Sequence, residues 1–183
     1  MIKYDYVLKR SNRKTISAEI SINADIIVRA PRKMSIKDIE KFLYSKRDWI
    51  DKNLEAVKKR RATLPECLDE KQVAELKKKA KDYIPQRVSY FADIMGVEYG
   101  RIAIRKQKTR FGSCSSKKNL NFNLAIMLMP RDISDYVIVH ELSHLVEMNH
   151  SARFWCEVER VIPNYKDCRR WLRENGVMYI QLI

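Results

Sequence analysis

Histidine, cysteine, glycine and proline are all scarce in this chain of 183 residues, with three, four, four and five copies respectively. So little glycine and proline excludes collagen-like and low-complexity sequence. The cysteines lie far apart and form no C-x-x-C pair, which argues against a disulfide framework and a four-cysteine zinc site. No apolar run approaches the roughly 18–20 residues of a membrane-spanning helix, and the charged N-terminus lacks a signal-peptide core. We therefore expect a cytoplasmic protein without a membrane partner.

Positive charge, by contrast, is abundant. The chain has 37 lysines and arginines against 23 acidic residues, a formal net charge of +14, and residues 1–61 carry 17 of the basic and 8 of the acidic residues. Such a surface can attract nucleic acid, nucleotides or acidic peptides. No nucleic-acid-binding motif accompanies the charge, so a solvated face that only confers solubility is the alternative. Hydrophobic residues make up 45% of the chain, which excludes disorder throughout and predicts a packed core.

The N-terminal part of the chain combines strand and helix patterns. Apolar–polar alternation predicts three strands, which we expect to form a small antiparallel sheet, over residues 2–10, 15–22 and 26–30. A capping box then begins at Ser35, and apolar residues follow at intervals of three to four, with an interruption at Arg47. This spacing predicts one long helix with Trp49 in the core, which completes an N-terminal subdomain over residues 1–61. Residues 62–68 are interpreted as a linker.

The rest of the chain, residues 69–183, has the pattern of a second α+β domain. Helical spacing predicts helices over residues 69–95, 136–146, 151–162 and 165–174. The last of these is expected to end at Asn175 and Gly176. Alternation predicts strands within residues 97–106 and 120–129, separated by the polar loop 109–116.

All three histidines fall in one segment, which reads His-Glu-Leu-Ser-His-Leu-Val-Glu-Met-Asn-His from His140 to His150. Two imidazoles four residues apart lie on one face of a helix, so His140 and His144 can bind a single metal ion. Glu141 is then placed to take a proton from a metal-bound water, as in a zinc hydrolase. The predicted helix is otherwise apolar, and burying these polar groups without a metal would be costly. We therefore favour a metal site over a chance HExxH match.

A catalytic zinc site needs a third protein ligand and leaves the fourth position open. His150 is the preferred candidate because it is the remaining histidine and imidazole suits zinc, while Glu147 and Glu157 are the carboxylate alternatives. Zinc is the preferred metal, although other divalent transition metals accept the same ligands. Metzincins share this histidine spacing but have glycine at the position of Glu147. We therefore expect a different protein class, in which the chain turns near Met148 and Asn149.

Several further segments are distinctive. Residues 110–115 read Arg-Phe-Gly-Ser-Cys-Ser, residues 119–123 read Asn-Leu-Asn-Phe-Asn, and the histidine helix is followed by Asn149-His150-Ser151 and the pair Phe154-Trp155. With these motifs the sequence resembles the YgjP-like metallopeptidase family, relatives of the SprT-like and Wlm zinc proteases. It departs from the usual pattern at Phe111, where the family has tryptophan.

The resemblance implies an α+β fold. It implies a minimal zincin-like catalytic domain at residues 69–183, with the HExxH helix against a small antiparallel or mixed sheet, preceded by a small sheet and a long helix. It also implies His140, His144 and His150 as ligands of one zinc ion and Glu141 as the general base of a metalloprotease.

The substrate stays open at this stage. A zinc-dependent metallopeptidase is the preferred function. The alternatives are a zinc-dependent hydrolase of nucleotides or other phosphoanhydrides, and a nucleic-acid-associated protein with a structural metal. Substrate-binding candidates are Arg110, whose guanidinium can bind phosphate or a C-terminal carboxylate, together with Ser113 and Cys114 in the same loop.

Overall fold

The computed structural model describes residues 4–183, and the chain divides into two compact units after Leu64. The first unit contains three strands and two helices, namely β1 (Tyr6–Ser11), β2 (Ser17–Ile20), β3 (Ile26–Pro31), α1 (Ile36–Ser45) and α2 (Arg47–Ala62). Residues 2 and 3 of the first predicted strand lie outside the described residues.

The sheet of the first unit is mixed, with the strand order β1-β3-β2. A tight turn, in which the Ser21 amide donates to the Asp25 carbonyl over 2.8 Å, makes β2 and β3 antiparallel. β1 pairs with the other edge of β3 in parallel register, from Tyr6 opposite Ile26 onward. The expectation of an antiparallel sheet was therefore wrong, because alternation identifies a strand but does not determine the direction of its partner.

The expected long helix is divided in two at Lys46, which has a φ of −109° and a ψ of 10°. The Ser45 hydroxyl donates a 2.7 Å hydrogen bond to the Phe42 carbonyl, which a continuous helix would use for the Lys46 amide. The two helices and β3 share one core, made of Ile26, Val28, Ala30, Ile39, Leu43 and Ile50. Trp49, expected in the core, is 45% exposed.

The second unit also holds a three-stranded mixed sheet. Its elements are α3 (Glu70–Met95), β4 (Ile102–Arg105), β5 (Gly112–Cys114), β6 (Leu120–Asn123), a short 3₁₀ helix (Leu124–Leu128), α4 (Arg131–Ser143), α5 (Ala152–Val161) and α6 (Tyr165–Ile180). The strand order is β4-β6-β5, with β4 parallel and β5 antiparallel to β6. The strand predicted over residues 120–129 stops at Asn123, because the Asn123 side chain accepts the Ala125 amide at 3.1 Å and caps the 3₁₀ helix.

Helix α4 is almost entirely buried, which agrees with its apolar sequence. It begins at Arg131, directly after Pro130 and before the predicted start at residue 136, and the Ser134 hydroxyl in its first turn donates to the Ile126 carbonyl at 2.6 Å. Asp135 accepts a bidentate pair of hydrogen bonds from Arg87 on α3, at 2.9 and 2.7 Å. This nearly buried ion pair fixes α4 against α3.

Helix α6 extends past its expected end at Asn175 and Gly176 to Ile180. The glycine here serves close packing, since a β-carbon at position 176 would lie 2.5 Å from Cζ of Phe111. Within residues 4–183, no helix has the length and apolar character needed to cross a membrane.

Candidate metal centre

The three histidines converge at the end of α4. His140 lies in the last turns of the helix, His144 terminates it, and His150 lies in the loop that leads to α5. One potential ligand atom from each imidazole falls within 4.8 Å of the others. Nε2 of His140 and Nε2 of His150 are 3.1 Å apart. This spacing is suited to sharing one cation.

The loop that carries His150 bends at Met148 and Asn149, as the sequence predicts, and neither residue has a positive φ. The amides of Val146 and Glu147 both donate to the Ser143 carbonyl, so the chain continues in a tight turn beyond α4. The Glu147 carbonyl lies 3.2 Å from Nδ1 of His144. That contact orients the His144 ring and leaves its Nε2 for the cluster.

Phe154 forms the floor of the cluster. Its fully buried ring has its centroid 4.9, 4.6 and 4.7 Å from the centroids of His140, His144 and His150. The Ser151 side chain caps α5 by accepting a hydrogen bond from the Phe154 amide. This cap fixes the backbone position from which the Phe154 ring extends into the core. The three imidazoles are therefore held by packing as well as by the backbone.

The histidines of α4 are kept neutral by their surroundings. Burial, and secondarily the nearby charges of His144, His150 and Arg169, lower the pKa of His140 to about 3. Burial also lowers the pKa of His144, although its contact with the Glu147 carbonyl opposes that change. A neutral imidazole has a free lone pair, which a metal ligand requires.

Glu141 is 6% exposed and follows the first histidine on α4. Burial raises the pKa of its carboxyl group to about 8. The carboxylate lies directly against the backbone of Gly112, the first residue of β5. A carboxyl group with a raised pKa binds a proton strongly once it is ionised, and a cation held by the histidines favours the ionised form, so Glu141 is suited to act as a general base.

Asn123 fixes the loop that brings Gly112 to Glu141. Its side chain is fully buried, and Nδ2 donates to the carbonyls of Gln107 and Arg110, both at 2.7 Å. The backbone amide of Asn123 donates to the Phe111 carbonyl at 2.8 Å. The loop before β5 is therefore bound to the end of β6 at three points.

Two cavities flank His140, and Tyr136 lines both of them. The first, of about 220 Å³, is also lined by Arg110, Gly112 and Glu141. The second, of about 310 Å³, is formed by Tyr136, His140, His150, Trp155 and Arg169.

The three predicted substrate residues lie in different environments. Arg110 is exposed and lines the cavity beside Glu141. Ser113 accepts a weak hydrogen bond from Asn121 within the sheet, at 3.4 Å. Burial, and secondarily the charge of Glu141, raises the pKa of the Cys114 thiol, which disfavours a reactive thiolate.

Sequence reasoning missed Tyr136 and Arg169. Tyr136 lies one helical turn before His140, so the same spacing that pairs the histidines could have identified it. Trp155 contacts His150 in a stacked arrangement and lines the second cavity. Arg169 reaches that cavity from α6, and no local pattern connects it to the histidines.

Three imidazoles converge beside a buried glutamate, an arrangement that is typical of metallopeptidases. Comparison with protein families agrees: the chain belongs to the family described as YgjP-like, metallopeptidase domain, which matches residues 14–75 and 63–175. The resemblance stated from the motifs is thereby confirmed. No curated protein matches the sequence significantly.

Solved structures of two metallopeptidase zymogens are similar to part of the chain. Pyrococcus abyssi abylysin is 26% identical, with a TM-score of 0.46, and the match covers 50% of this chain and 93% of that one. Methanocaldococcus jannaschii jannalysin is 22% identical, with a TM-score of 0.45, over 50% of this chain and 94% of that one.

Proposed function

We propose that this chain is a zinc-dependent metallopeptidase, in which His140, His144 and His150 hold the metal and Glu141 is the general base. The observation that carries the proposal is the convergence of three imidazoles within 4.8 Å beside a buried carboxylate, in a chain of a metallopeptidase family. The second unit would then be the catalytic domain, and the first a separate N-terminal subdomain joined to it through residues 62–68.

The donor set fits zinc. Nε2 of His140 and Nε2 of His150 face one another at 3.1 Å, and the buried Nδ1 of His140 has no hydrogen-bond partner among the described residues. A cation between the facing nitrogens compensates for the cost of burying this imidazole. Glu147 and Glu157 do not belong to the group of converging ligands, which supports His150 as the third ligand.

A bound divalent metal would supply Lewis acidity, which acidifies water and polarises a carbonyl group. Glu141 then receives the proton of the attacking water, because its carboxyl group lies in the cavity that also exposes His140.

A peptide can be bound along β5. This strand lies at the edge of its sheet, and in the described part of the chain no strand pairs with its outer edge. An extended peptide added there would have its backbone fixed by hydrogen bonds next to Gly112, and so next to Glu141. An edge strand binds its ligand through backbone hydrogen bonds, which an extended peptide can form along its length and a nucleotide cannot.

The alternative of phosphoanhydride hydrolysis is supported by Arg110, which lines the cavity beside Glu141. Two of the basic residues that precede the loop, Arg105 and Lys106, line a different cavity with Val73 and Ile183. A cluster of cations around the reacting group is what triphosphate binding requires, so we retain the peptide as the preferred substrate. Nucleic-acid contact through the basic surface of the first unit is a separate possibility that the charge alone supports.

A cytoplasmic location is part of the proposal. The four cysteines are all free, and two of them, Cys67 and Cys156, are exposed. Exposed free thiols are suited to a reducing compartment.

The test is a comparison of wild-type protein with Glu141→Gln, both loaded with zinc. Each is incubated with unfolded casein and, in parallel, with nucleoside triphosphates, before and after chelation. We expect peptide-bond hydrolysis that chelation abolishes and zinc restores, and a variant that keeps its zinc while losing turnover. Wild-type turnover by Glu141→Gln would disprove the general-base role, and hydrolysis of triphosphates alone would replace the peptidase by the alternative.

A further inference from the structure

The second cavity beside the metal centre has a cation in its wall. Tyr136 and His140 separate it from the cavity of Glu141, and His150, Trp155 and Arg169 complete its lining. A substrate whose reacting group lies beside Glu141 can place a neighbouring part in this second space, because the two cavities share the walls formed by Tyr136 and His140. The volume of about 310 Å³ accommodates a side chain or a chain end.

Arg169 is held at this cavity by aromatic stacking. Its guanidinium carbon lies 4.5 Å from the centroid of the Trp155 ring. Trp155 in turn stacks on Tyr165, with ring centroids 5.2 Å apart and an interplanar angle of 16°, and on His150, at 5.6 Å and 21°. Cation–π contact of this kind orients a guanidinium without using its N–H donors. The donors of Arg169 therefore remain available to a ligand.

The charge of Arg169 is not neutralised by the protein. The next residue, Arg170, is paired with Asp167 on the same helix. Among the described residues, by contrast, no carboxylate lies within ion-pair distance of Arg169, which is exposed to solvent. A fixed, unpaired guanidinium beside a reaction centre is suited to a planar anion, which it binds with two parallel hydrogen bonds.

We propose that Arg169 is a specificity-determining residue that binds a carboxylate of the peptide substrate in the cavity formed with Trp155 and His150. The inference rests on the proposed peptidase function and adds the substrate class to it: peptides with an anionic group close to the scissile bond. That group is either the C-terminal carboxylate or an acidic side chain, since both present the same two oxygens.

The experiment uses three peptides of one sequence, each with a single site of cleavage. One has a free C-terminus and a glutamate near the scissile bond, the second has an amidated C-terminus, and the third has glutamine in place of the glutamate. Values of kcat and KM are measured for zinc-loaded wild type, Arg169→Ala and Arg169→Lys. Arg170→Ala is the matched control, because it removes an adjacent exposed arginine that is paired with Asp167.

For wild type, we expect kcat/KM to fall by about tenfold to a hundredfold on the peptide in which the bound carboxylate has been neutralised. The peptide that shows this loss identifies which of the two carboxylates is bound. Arg169→Ala should show the same loss on the anionic peptide, mainly through KM, and no change on the peptide that lacks the bound carboxylate. Arg169→Lys should recover part of the affinity, and Arg170→Ala should behave as wild type.

A binding measurement separates this inference from the peptidase proposal. Calorimetric titration of the same peptides into zinc-loaded Glu141→Gln, with and without Arg169→Ala, reports affinity without turnover. Loss of affinity for the anionic peptide alone supports the role of Arg169 even where hydrolysis is absent. Equal cleavage of all three peptides by wild type, or an equal loss on all three in Arg169→Ala, overturns it and leaves the peptidase proposal standing. Arg169→Lys and the titration keep the test valid should Arg169→Ala fold poorly.

Discussion

A β-carbon at position 112 would lie 2.6 Å from both Cγ and Oε1 of Glu141, so the close approach of β5 to this carboxylate requires glycine. The backbone of one strand thereby forms the wall against which the proposed general base is held. Steric contact of this kind restricts the carboxylate without a hydrogen bond, and the consequence can be measured.

Gly112→Ala should therefore displace the Glu141 carboxylate and lower kcat by about tenfold to a hundredfold, because misplacement by a fraction of an ångström is costly to catalysis. Zinc content should not change, since Gly112 is not a ligand. The matched control is Gly100→Ala, whose β-carbon would lie equally close, 2.6 Å, to Oδ1 of Asn119, a residue outside both cavities of the site. An equal loss of kcat in both variants would show a general effect on folding.

The ligand set predicts the metal content of single variants. Replacing His140, His144 or His150 with alanine should reduce bound zinc from one equivalent to a small fraction of it under competition with a mild chelator, because two imidazoles bind zinc far more weakly than three. Glu147→Ala and Glu157→Ala should keep one equivalent. Metal analysis by inductively coupled plasma mass spectrometry measures this directly, and zinc retained by His150→Ala but lost by Glu157→Ala would assign the third ligand to the carboxylate.

Glu141 predicts a pH dependence for the metal-free protein. Its folded pKa of about 8 lies above the ordinary value of 4.5, so the folded state holds this proton more tightly than the unfolded state does. The associated stability is complete below pH 4.5 and is lost as the pH rises through 8. Glutamine cannot ionise, and metal-free Glu141→Gln should therefore be more stable than wild type at pH 9, by about 5 kcal/mol.

Denaturant unfolding of the chelated proteins at pH 4.5 and pH 9 measures this difference. The two proteins should have nearly equal stability at the lower pH, where Glu141 is protonated. A constant difference between them at both values would contradict the raised pKa. Added zinc should reduce the difference at pH 9, since a nearby cation favours the ionised carboxylate.

Asn123 should be important for stability because its buried amide satisfies two carbonyl groups and one amide of the surrounding backbone. Asn123→Ala leaves these groups without partners and should lower the free energy of unfolding by about 2–4 kcal/mol. Asn121→Ala, two residues earlier on β6, loses only a 3.4 Å contact with Ser113 and should cost less than about 1 kcal/mol. Urea denaturation of both variants gives the comparison, and equal losses would disprove the special role of Asn123.

Much of the metal centre could be predicted because its signals are local. The four-residue spacing of His140 and His144 places both on one helical face. Ser151 is a helix N-cap signal, and the helix that follows it brings Phe154 beneath the two histidines. The direction of β1 could not be predicted, because alternation is the same for parallel and antiparallel strands. The division of the first long helix at Lys46 was not predicted either, since it involves the Ser45 hydroxyl, which competes with the Lys46 amide for the Phe42 carbonyl.

By itself, the sequence determined the histidine motif, the neighbouring glutamate and the family to which they belong. These depend on residue order and helical periodicity, which act over a few residues. Tertiary structure alone decided that Gly112 meets Glu141, that Gly176 accommodates Phe111 and that Arg169 reaches the cavity beside His150. Such contacts join residues far apart in the chain, and only the packing of α6 and the sheet against α4 brings them together.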